Sequence, residues 1–360
     1  MDRIAEERLA AFLESSHVDA VLISDPYNLR YISGFRGGEG MLFISGKQKV
    51  LITDSRYTEA AGKESDFTIV EENASHVRSA IIRECLEKES GKELGYEDQF
   101  MRCSDFGKLQ TKLPEVSAWK PLGGSVDALR RIKTKEELMF LEKAEAIGDA
   151  AFTDILNRLR PGMTEKEVAA ELEYSMKKHG ADNVSFSTII ASGIHSSMPH
   201  AIPTDKQIES GDFVTMDFGC IYEGYCSDMT RTIVVGKASD KQKEIYSIVL
   251  EAQTTCLEGL HAGMTGKEGD ALARDVINKA GFGQYFGHGT GHSVGLYIHE
   301  EPRLSPLAEK EVLCPGMIET VEPGIYIPGF GGVRIEDMVV IEEDGIRNLA
   351  ASPKNLIELN

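Results

Sequence analysis

The chain has 360 residues, of which 39 are lysine or arginine and 58 are aspartate or glutamate, so its formal net charge is −19 at pH 7. At about 150 residues per domain, this length predicts two domains with room for sizeable cores. A chain this acidic is unsuited to nucleic acid or an anionic membrane surface, and we expect neither as a partner. No apolar run is long enough for a membrane span, and the N-terminal segment lacks the apolar centre of a signal peptide. Six cysteines without a CxxC pair predict reduced thiols in a cytoplasmic protein.

The first third of the chain alternates helical and strand patterns. The spacing of apolar residues predicts helices over 4–13, 75–89 and 102–113. Short apolar runs predict strands over 20–23, 41–45, 50–53 and 93–96, the middle two forming a hairpin. This is the pattern of a small α/β domain. The segment Pro121-Leu122-Gly123-Gly124 interrupts it, so we assign 1–125 and 126–360 to separate domains.

The second domain contains a near-repeat. Thr134 and Glu137 have the spacing of a capping box and predict a long helix that ends at about residue 160. Similar phrases then occur about a hundred residues apart, Leu-Arg-Pro-Gly-Met-Thr and Leu-His-Ala-Gly-Met-Thr. Each opens a predicted helix, over 165–179 and 266–280, and strands rich in Val, Ile and Thr follow. The repeat predicts an internally duplicated α+β domain.

A first pair of carboxylates lies on a predicted hairpin. Asp217 and Asp228 belong to two strand-like segments, and a tight turn centred near Tyr222 and Glu223 places them directly opposite each other. Directly paired residues share a face, with side chains about 5 Å apart. Adjacent carboxylates repel, and a cation between them relieves the repulsion. Two solvated aspartates on an exposed hairpin explain this pair equally well.

A second pair has the same form. Glu322 and Glu336 are equidistant from Gly329, which lies in a glycine-rich segment typical of a hairpin tip. Both glutamates then face the same way as Arg334. A glutamate inside an apolar strand needs a partner. An ion pair between Arg334 and Glu322 accounts for one pair of carboxylates but not for all four.

Three histidines lie between these hairpins, within Gly-His-Gly-Thr-Gly-His-Ser-Val-Gly-Leu-Tyr-Ile-His-Glu at 287–300. They are His288, His292 and His299, interleaved with glycines that let side chains approach a ligand closely. Their spacing fits neither the HExxH helix, nor a CxxC zinc site, nor a phosphate-binding loop. A single histidine here is more often structural, as we expect for His288. Three of them beside four carboxylates favour a metal site.

These residues resemble the pita-bread metallopeptidases, in particular their Xaa-Pro aminopeptidase and Xaa-Pro dipeptidase branch. The motifs that carry the resemblance are DFG, SDMTRT, GHGTGHSVGLYIHEEP, VEPGIY and GGVRIED. Outside the site, NLRYISGF and TDSRY resemble the creatinase-like N-terminal domain of that branch. The implied fold class is α+β: a small α/β creatinase-like N-terminal domain followed by a duplicated α+β pita-bread catalytic domain. One departure is Glu319, where the family usually has an apolar residue; it lies off the Glu322 face, and we expect it to leave the ligands unaltered.

The resemblance implies a site with two divalent metal ions. Asp228 and Glu336 bridge the ions, Asp217 chelates one, and His292 with Glu322 holds the other. Two ions about 3.5–4 Å apart share a hydroxide nucleophile and stabilise the tetrahedral oxyanion. Four carboxylates and one imidazole form an oxygen-rich set that favours Mn²⁺. Co²⁺ and Zn²⁺ are alternatives, and the affinity order alone favours Zn²⁺.

The resemblance also implies the catalytic residues. His200 and His299 contact the substrate and protonate or stabilise the reacting amide, a role suited to an imidazole with an ordinary pKa near 6.5. Tyr326 and Arg334 orient His299 or the substrate. His195 has weaker support for any such role.

The expected activity is that of a cytoplasmic metallo-exopeptidase that removes the N-terminal residue from short peptides with proline at the second position. We expect a homodimer in which the N-terminal domain packs against the second subunit. A strict Xaa-Pro dipeptidase shares the five ligands, and no residue separates the two activities. Methionine aminopeptidase lacks the extra N-terminal domain, and metal-free creatinase lacks the ligand set. A pita-bread protein that only binds its ligand is the alternative from another class, and such relatives typically lose metal ligands.

Overall fold

The computed structural model describes residues 3–359, with side chains from residue 6 onward. The chain divides into two compact units between Arg130 and Arg131, whereas the sequence analysis places the domain boundary after residue 125. The intervening residues stay with the first unit because they bond to it. The Asn28 amide donates to Asp127 Oδ1 at 2.7 Å, and Arg130 Nε donates to Asn28 Oδ1 at 2.8 Å.

The first unit is a six-stranded sheet with helices on both faces. In sheet order β4-β3-β2-β1-β5-β6, only β2 runs antiparallel to its neighbours. The strands are β1 (Ala20–Ile23), β2 (Met41–Ser45), β3 (Lys49–Asp54), β4 (Thr68–Glu72), β5 (Glu93–Tyr96) and β6 (Ala118–Pro121). The helices are α1 (Arg3–Ser16), α2 (Pro26–Ser33), α3 (Thr58–Glu64), α4 (Arg78–Leu86) and α5 (Cys103–Lys112).

Strand β1 is apolar throughout because both of its faces are buried. Val21 and Ile23 join a core with residues of α1 and α2, whereas Ala20 and Leu22 join a second core with residues of α4. The predicted α/β domain and its hairpin are therefore confirmed. Helix α2 is missing from the sequence prediction. Its N-terminus is set by Asp25, whose carboxylate accepts hydrogen bonds from the backbone N–H groups of Tyr27 and Asn28.

The second unit contains two helix pairs, α6 with α7 and α8 with α9. The helices are α6 (Lys135–Leu156), α7 (Glu165–Lys178), α8 (Asp240–Gly259) and α9 (Gly266–Lys279). The capping box predicted at Thr134 and Glu137 is present, and α7 and α9 each begin with a capping box of their own. Within the described residues 3–359, no helix combines the length and the apolar character needed to cross a bilayer.

The strands of the second unit form five small sheets, in the orders β11-β10-β7, β20-β12-β9-β8, β13-β14, β15-β18-β19 and β16-β17. The strands are β7 (Asn183–Val184), β8 (Ile189–Ser192), β9 (Phe213–Phe218), β10 (Cys220–Tyr222), β11 (Tyr225–Cys226), β12 (Met229–Val235), β13 (Gly291–Ser293), β14 (Glu300–Leu304), β15 (Ile318–Val321), β16 (Gly324–Ile327), β17 (Gly331–Arg334), β18 (Asp337–Glu342), β19 (Gly345–Asn348) and β20 (Glu358–Leu359). One apolar core joins α6 and α7 to β8, β9 and β12, and another joins α8 and α9 to β15 and β18. Equivalent isolated bridges, Thr164 with Gln207 and Thr265 with Val312, precede α7 and α9. The predicted internal duplication is confirmed.

The register of the first hairpin differs from the sequence prediction. Asp217 pairs with Thr230 and not with Asp228. The reason is the turn, whose two central residues are Glu223 and Gly224, with φ of 48° and 83°. Positive φ at both positions is typical of a type I′ turn, and it moves the hairpin centre one residue along the chain. The offset of two residues leaves both aspartates on one face.

The second hairpin has the predicted register. Val321 pairs with Asp337 and Ile327 pairs with Gly331, so Gly329 is at the tip. The hairpin is interrupted on both sides, between β15 and β16 and between β17 and β18. Glu322 and Glu336 lie at these interruptions.

Candidate metal centre

A cavity of about 480 Å³ in the second unit gathers nearly all the residues singled out from the sequence. The candidates that line it are Asp217, Asp228, His292, Glu322, Glu336, His200, His299 and Arg334. Tyr326 lies beside the cavity and is hydrogen-bonded to Arg334. The fold therefore brings residues from both duplicated halves to one place.

Short strands and their interruptions position the carboxylates. Asp217 is inside β9, whereas Asp228 immediately precedes β12 and Glu336 immediately precedes β18. The backbone N–H of Glu336 donates to Thr230 O at 3.1 Å, which ties the two hairpins together where the ladders stop. The three side chains converge as a result.

Asp217, Asp228 and Glu336 each offer a carboxylate oxygen, and these oxygens lie within 4.8 Å of one another. Oδ1 of Asp217 is buried and has no hydrogen-bond partner among the described residues. Burial, together with neighbouring carboxylates, raises the pKa of Asp228 and of Glu336 well above the ordinary range. Buried anionic oxygens of this kind fit a divalent cation, which supplies the missing charge and ligands.

His292 and Glu322 extend the cluster. Nδ1 of His292 donates to the carbonyl oxygen of Ser293 at 3.0 Å, which leaves the lone pair of Nε2 free to bind a metal. That nitrogen lies 3.5 Å from Asp228 Oδ2 and 3.6 Å from Glu322 Oε1. Burial lowers the pKa of His292 to about 3 and raises the pKa of Glu322 to about 8. The imidazole is thus neutral, which is the form that binds metals.

Two threonines that the sequence analysis missed support these ligands. The hydroxyl of Thr230 donates to Glu336 Oε2 at 2.6 Å. The hydroxyl of Thr320 accepts from the backbone N–H of His292 at 3.0 Å and donates to Glu322 Oε1 at 3.3 Å. Each threonine is two residues from a candidate ligand on the same strand face, a spacing that would have identified both.

Arg334 is bonded to Asp217 and not to Glu322. Its NH2 group donates to Asp217 Oδ2 at 2.5 Å, and its NH1 group donates to the Tyr326 hydroxyl at 2.8 Å. That hydroxyl in turn donates to Nε2 of His288 at 2.8 Å. The sequence analysis expected Tyr326 to orient His299 or the substrate, and of the histidines it is His288 that is bonded to Tyr326. Burial lowers the pKa of His288 to about 4, in keeping with a neutral ring that accepts this bond.

Of the remaining histidines, His200 and His299 line the cavity. The ring of His299 meets that of His292 edge-on, with 4.6 Å between their centres. Burial lowers the pKa of His299, which favours its neutral form. His200 is exposed on a segment that lines the cavity. His195 points elsewhere, with Nδ1 bonded to both carboxylate oxygens of Glu165 at 2.9 Å.

Comparison with known proteins identifies the family of the chain. A family model described as "Metallopeptidase family M24" matches residues 140–343, and one described as "Creatinase/Prolidase N-terminal domain" matches residues 6–132. The chain is 46% identical to a solved structure of an Xaa-Pro dipeptidase from Bacillus anthracis, covering 99% of both chains with a TM-score of 0.93. It is 42% identical to an Xaa-Pro dipeptidase from Pyrococcus furiosus, over 98% of this chain and 99% of the relative.

An Xaa-Pro aminopeptidase structure from Thermotoga maritima is also similar, with 37% identity, a TM-score of 0.89, and coverage of 96% of this chain and 99% of that one. These matches extend over both units and confirm the expected pita-bread fold, preceded in the chain by a creatinase-like N-terminal domain. The chain belongs to metallopeptidase family M24 and carries the Creatinase/Prolidase N-terminal domain.

Proposed function

We propose that this metallo-exopeptidase is an Xaa-Pro dipeptidase. The cluster of four carboxylates and one neutral imidazole in a single cavity, where Asp217 Oδ1 has no hydrogen-bond partner among the described residues, carries the metallo-exopeptidase part of the proposal. The sequence analysis favoured the aminopeptidase and kept the dipeptidase as its alternative. The names of the similar proteins from Bacillus anthracis and Pyrococcus furiosus favour that alternative.

We assign the metal ligands as the resemblance implied. Asp217, Asp228, His292, Glu322 and Glu336 would hold two divalent ions. Such ions would supply Lewis acidity and lower the pKa of water. The excess of carboxylate oxygens over imidazole supports Mn²⁺. Arg334 keeps Asp217 oriented through its hydrogen bond.

His200 and His299 provide the acid–base chemistry in this proposal. Cleavage of a prolyl amide releases a secondary amine, so the departing nitrogen must gain a proton. Both rings line the cavity, and imidazole is well suited to hold and move that proton. The lowered pKa of His299 supports a neutral ring whose N–H stabilises the carbonyl oxygen of the substrate.

The lining of the cavity supports a small proline-containing substrate. Phe186, Ile189 and Ile202 give it an apolar wall that suits a pyrrolidine ring. Arg303, whose Nε donates to Glu301 Oε1 at 3.1 Å, adds a guanidinium group to the lining. An Xaa-Pro dipeptide carries a free carboxylate directly after proline, and a guanidinium group is well matched to it. In a longer peptide this carboxylate is replaced by an amide. Arg303 is therefore our candidate for selecting dipeptides.

A substrate comparison tests the proposal. Chelator-treated protein supplied with Mn²⁺ should hydrolyse leucyl-proline and leave leucyl-prolyl-glycine intact. Arg303→Gln should raise KM for leucyl-proline about tenfold, as expected for the loss of a charge-assisted hydrogen bond. Arg347→Gln, which alters an exposed arginine paired with Glu142, is the matched control. Cleavage of the tripeptide would restore the aminopeptidase interpretation.

We also propose a homodimer in the cytoplasm. Ile202, which lines the cavity, and Leu307, two residues after the lining residue Ser305, are 79% and 90% exposed, and exposed large apolar side chains support a covering partner subunit. The six cysteines are all free thiols, which supports a reducing compartment. Light scattering that gives the mass of one chain would overturn the dimer.

A further inference from the structure

Glu165 is a buried carboxylate that is not part of the metal cluster. It is the first residue of α7 and is completely buried. Its neighbours are the residues on either side of the segment 193–203, which carries His200 and lines the cavity with residues 199–203. The carboxylate is therefore bonded to a segment that contributes to the proposed active site.

Each oxygen of Glu165 serves a different end of that segment. Oε1 accepts hydrogen bonds from the backbone N–H and the hydroxyl of Ser192, at 2.8 and 2.9 Å. Oε2 accepts from the backbone N–H and the hydroxyl of Thr204, at 3.0 and 2.7 Å. Nδ1 of His195 donates to both oxygens at 2.9 Å. One side chain thus fastens both ends of the segment and a point inside it.

The charge of Glu165 is retained despite its burial. Burial raises the pKa of this carboxyl, but the hydrogen bonds from His195, Thr204 and Ser192 outweigh it and lower the pKa below the ordinary value. Charge-assisted bonds of this kind are stronger than neutral ones. The carboxylate is therefore ionised throughout the neutral pH range, and its hydrogen bonds to the segment are charge-assisted.

The duplicated half of the domain uses the same device. Asp270 on α9 is buried, and its Oδ1 accepts from the backbone N–H and the hydroxyl of Thr290, both at 2.9 Å. Arg274 joins Asp270 to the carbonyl oxygen of His288. This arrangement holds the segment that leads into β13 and His292. A buried carboxylate in the N-terminal part of each repeated helix, at the first residue of α7 and the fifth of α9, thus supports a loop that carries site histidines.

We propose that Glu165 is a positioning residue that acts through His200, by holding the segment 193–203 in place over the metal cluster. This inference rests on the proposed function, in which His200 contacts the substrate. Glu165 itself does not line the cavity. A displacement of about 1 Å at a catalytic group lowers rates about a hundredfold, so loss of the anchor should be measurable in turnover.

The first test is kinetic. Glu165→Gln keeps the size of the side chain but cannot accept at both ends, and it should lower kcat/KM about a hundredfold, chiefly through kcat. His200→Ala combined with Glu165→Gln should be no slower than His200→Ala alone, because the two changes remove one function. Glu167→Gln alters the exposed capping-box residue of the same helix and should leave kcat/KM unchanged. Additive losses in the double variant, or an unaffected Glu165→Gln, would overturn the proposal.

A second measurement is independent of activity. Amide hydrogen exchange in the peptide that spans 192–204 should be about tenfold faster in Glu165→Gln than in the wild type, and unchanged in Glu167→Gln. Equal exchange in all three proteins would overturn the proposal, whatever the substrate proves to be. An inactive wild type with the predicted exchange pattern would count against the peptidase assignment and would leave the anchoring role of Glu165 supported.

Discussion

At the scale of single residues, the site is defined by carboxyl groups that are buried without an equal number of cations. Arg334 compensates Asp217, but Asp228 and Glu336 have no comparable partner among the described residues, and their pKa values are raised. Ion-pair chemistry alone therefore cannot account for the cluster. Bound divalent ions can, because they bring both positive charge and vacant coordination positions.

Substitution of a carboxylate in the cluster tests this directly. Glu336→Gln keeps the shape of the side chain and removes its charge, so we expect Mn²⁺ affinity and kcat/KM to fall by more than about a hundredfold. Mutation of residues that only hydrogen-bond to metal ligands already lowers affinity or activity by up to about that factor. Asp228→Asn should behave in the same way. Glu342→Gln on β18, at a half-exposed position, is the matched control. Calorimetry and turnover should change together, and wild-type turnover in either ligand variant would exclude the dinuclear model.

At the scale of elements, β15 contains a buried glutamate, Glu319, that is not part of the metal site. Glu319 shares a strand face with Val321, which belongs to the apolar core under α8. The carboxyl group is fully buried, and neither oxygen has a hydrogen-bond partner among the described residues. Burial raises its pKa well above the ordinary value. An unsatisfied buried polar group costs about 1–3 kcal/mol, so the strand is less stable than it could be.

Glu319→Met should therefore stabilise the protein by about 1–3 kcal/mol. A raised pKa in the folded state means that the folded protein binds the proton of this carboxyl more tightly than the unfolded chain does. The stability linked to that proton is complete below the unfolded pKa, near 4.3, and is lost as pH rises towards the folded pKa. The gain from Glu319→Met should hence increase from pH 5 to pH 8. Glu319→Gln, which cannot ionise but stays polar, should remove the pH dependence and recover less stability. Thermal unfolding of the three proteins measures both effects, and a lower melting temperature for Glu319→Met would contradict this account.

Much of the element pattern follows from local sequence. Strands 20–23 and 93–96 have the predicted bounds, and the capping box at Thr134 begins α6 as expected. The tip of the second hairpin was predictable because glycine marks it, and Gly329 has φ of 77°. The tip of the first hairpin was predicted one residue too early, because Glu223, which is not a glycine, adopts positive φ there.

The candidate ligands were named from the family resemblance, but their detailed placement could not be predicted. The break before Asp228 and the break at Glu336 depend on a contact between hairpins, the bond from Glu336 N to Thr230 O. A run of strand-forming residues gives no sign of such a contact. The same limit explains the partner of Tyr326, since His288 reaches it only in the folded chain.

At the scale of the whole molecule, the buried carboxyls link stability to pH and to metal. The pKa of Glu322 is raised to about 8, and those of Asp228 and Glu336 are also raised, by burial first. The metal-free protein should thus lose stability as pH rises from about 4.5 through 8. Metal ions bind the ionised carboxylates, so the increase in melting temperature caused by Mn²⁺ should be larger at pH 8 than at pH 5.

Scanning calorimetry with and without Mn²⁺ at several pH values measures this linkage. The variant Asp228→Asn/Glu336→Gln should show a shallower decline with pH and no increase with Mn²⁺. A melting temperature that is equally insensitive to Mn²⁺ at every pH in the wild type would mean that the cluster does not bind the ion.

The most direct test of the central claim is to remove metal with a chelator, titrate Mn²⁺ back by calorimetry, and follow leucyl-proline hydrolysis in the same samples. We expect two ions per chain, almost no turnover in the stripped protein, and turnover that returns in step with occupancy. Turnover that survives complete metal removal, or a protein that takes up no Mn²⁺, would contradict the assignment of this site.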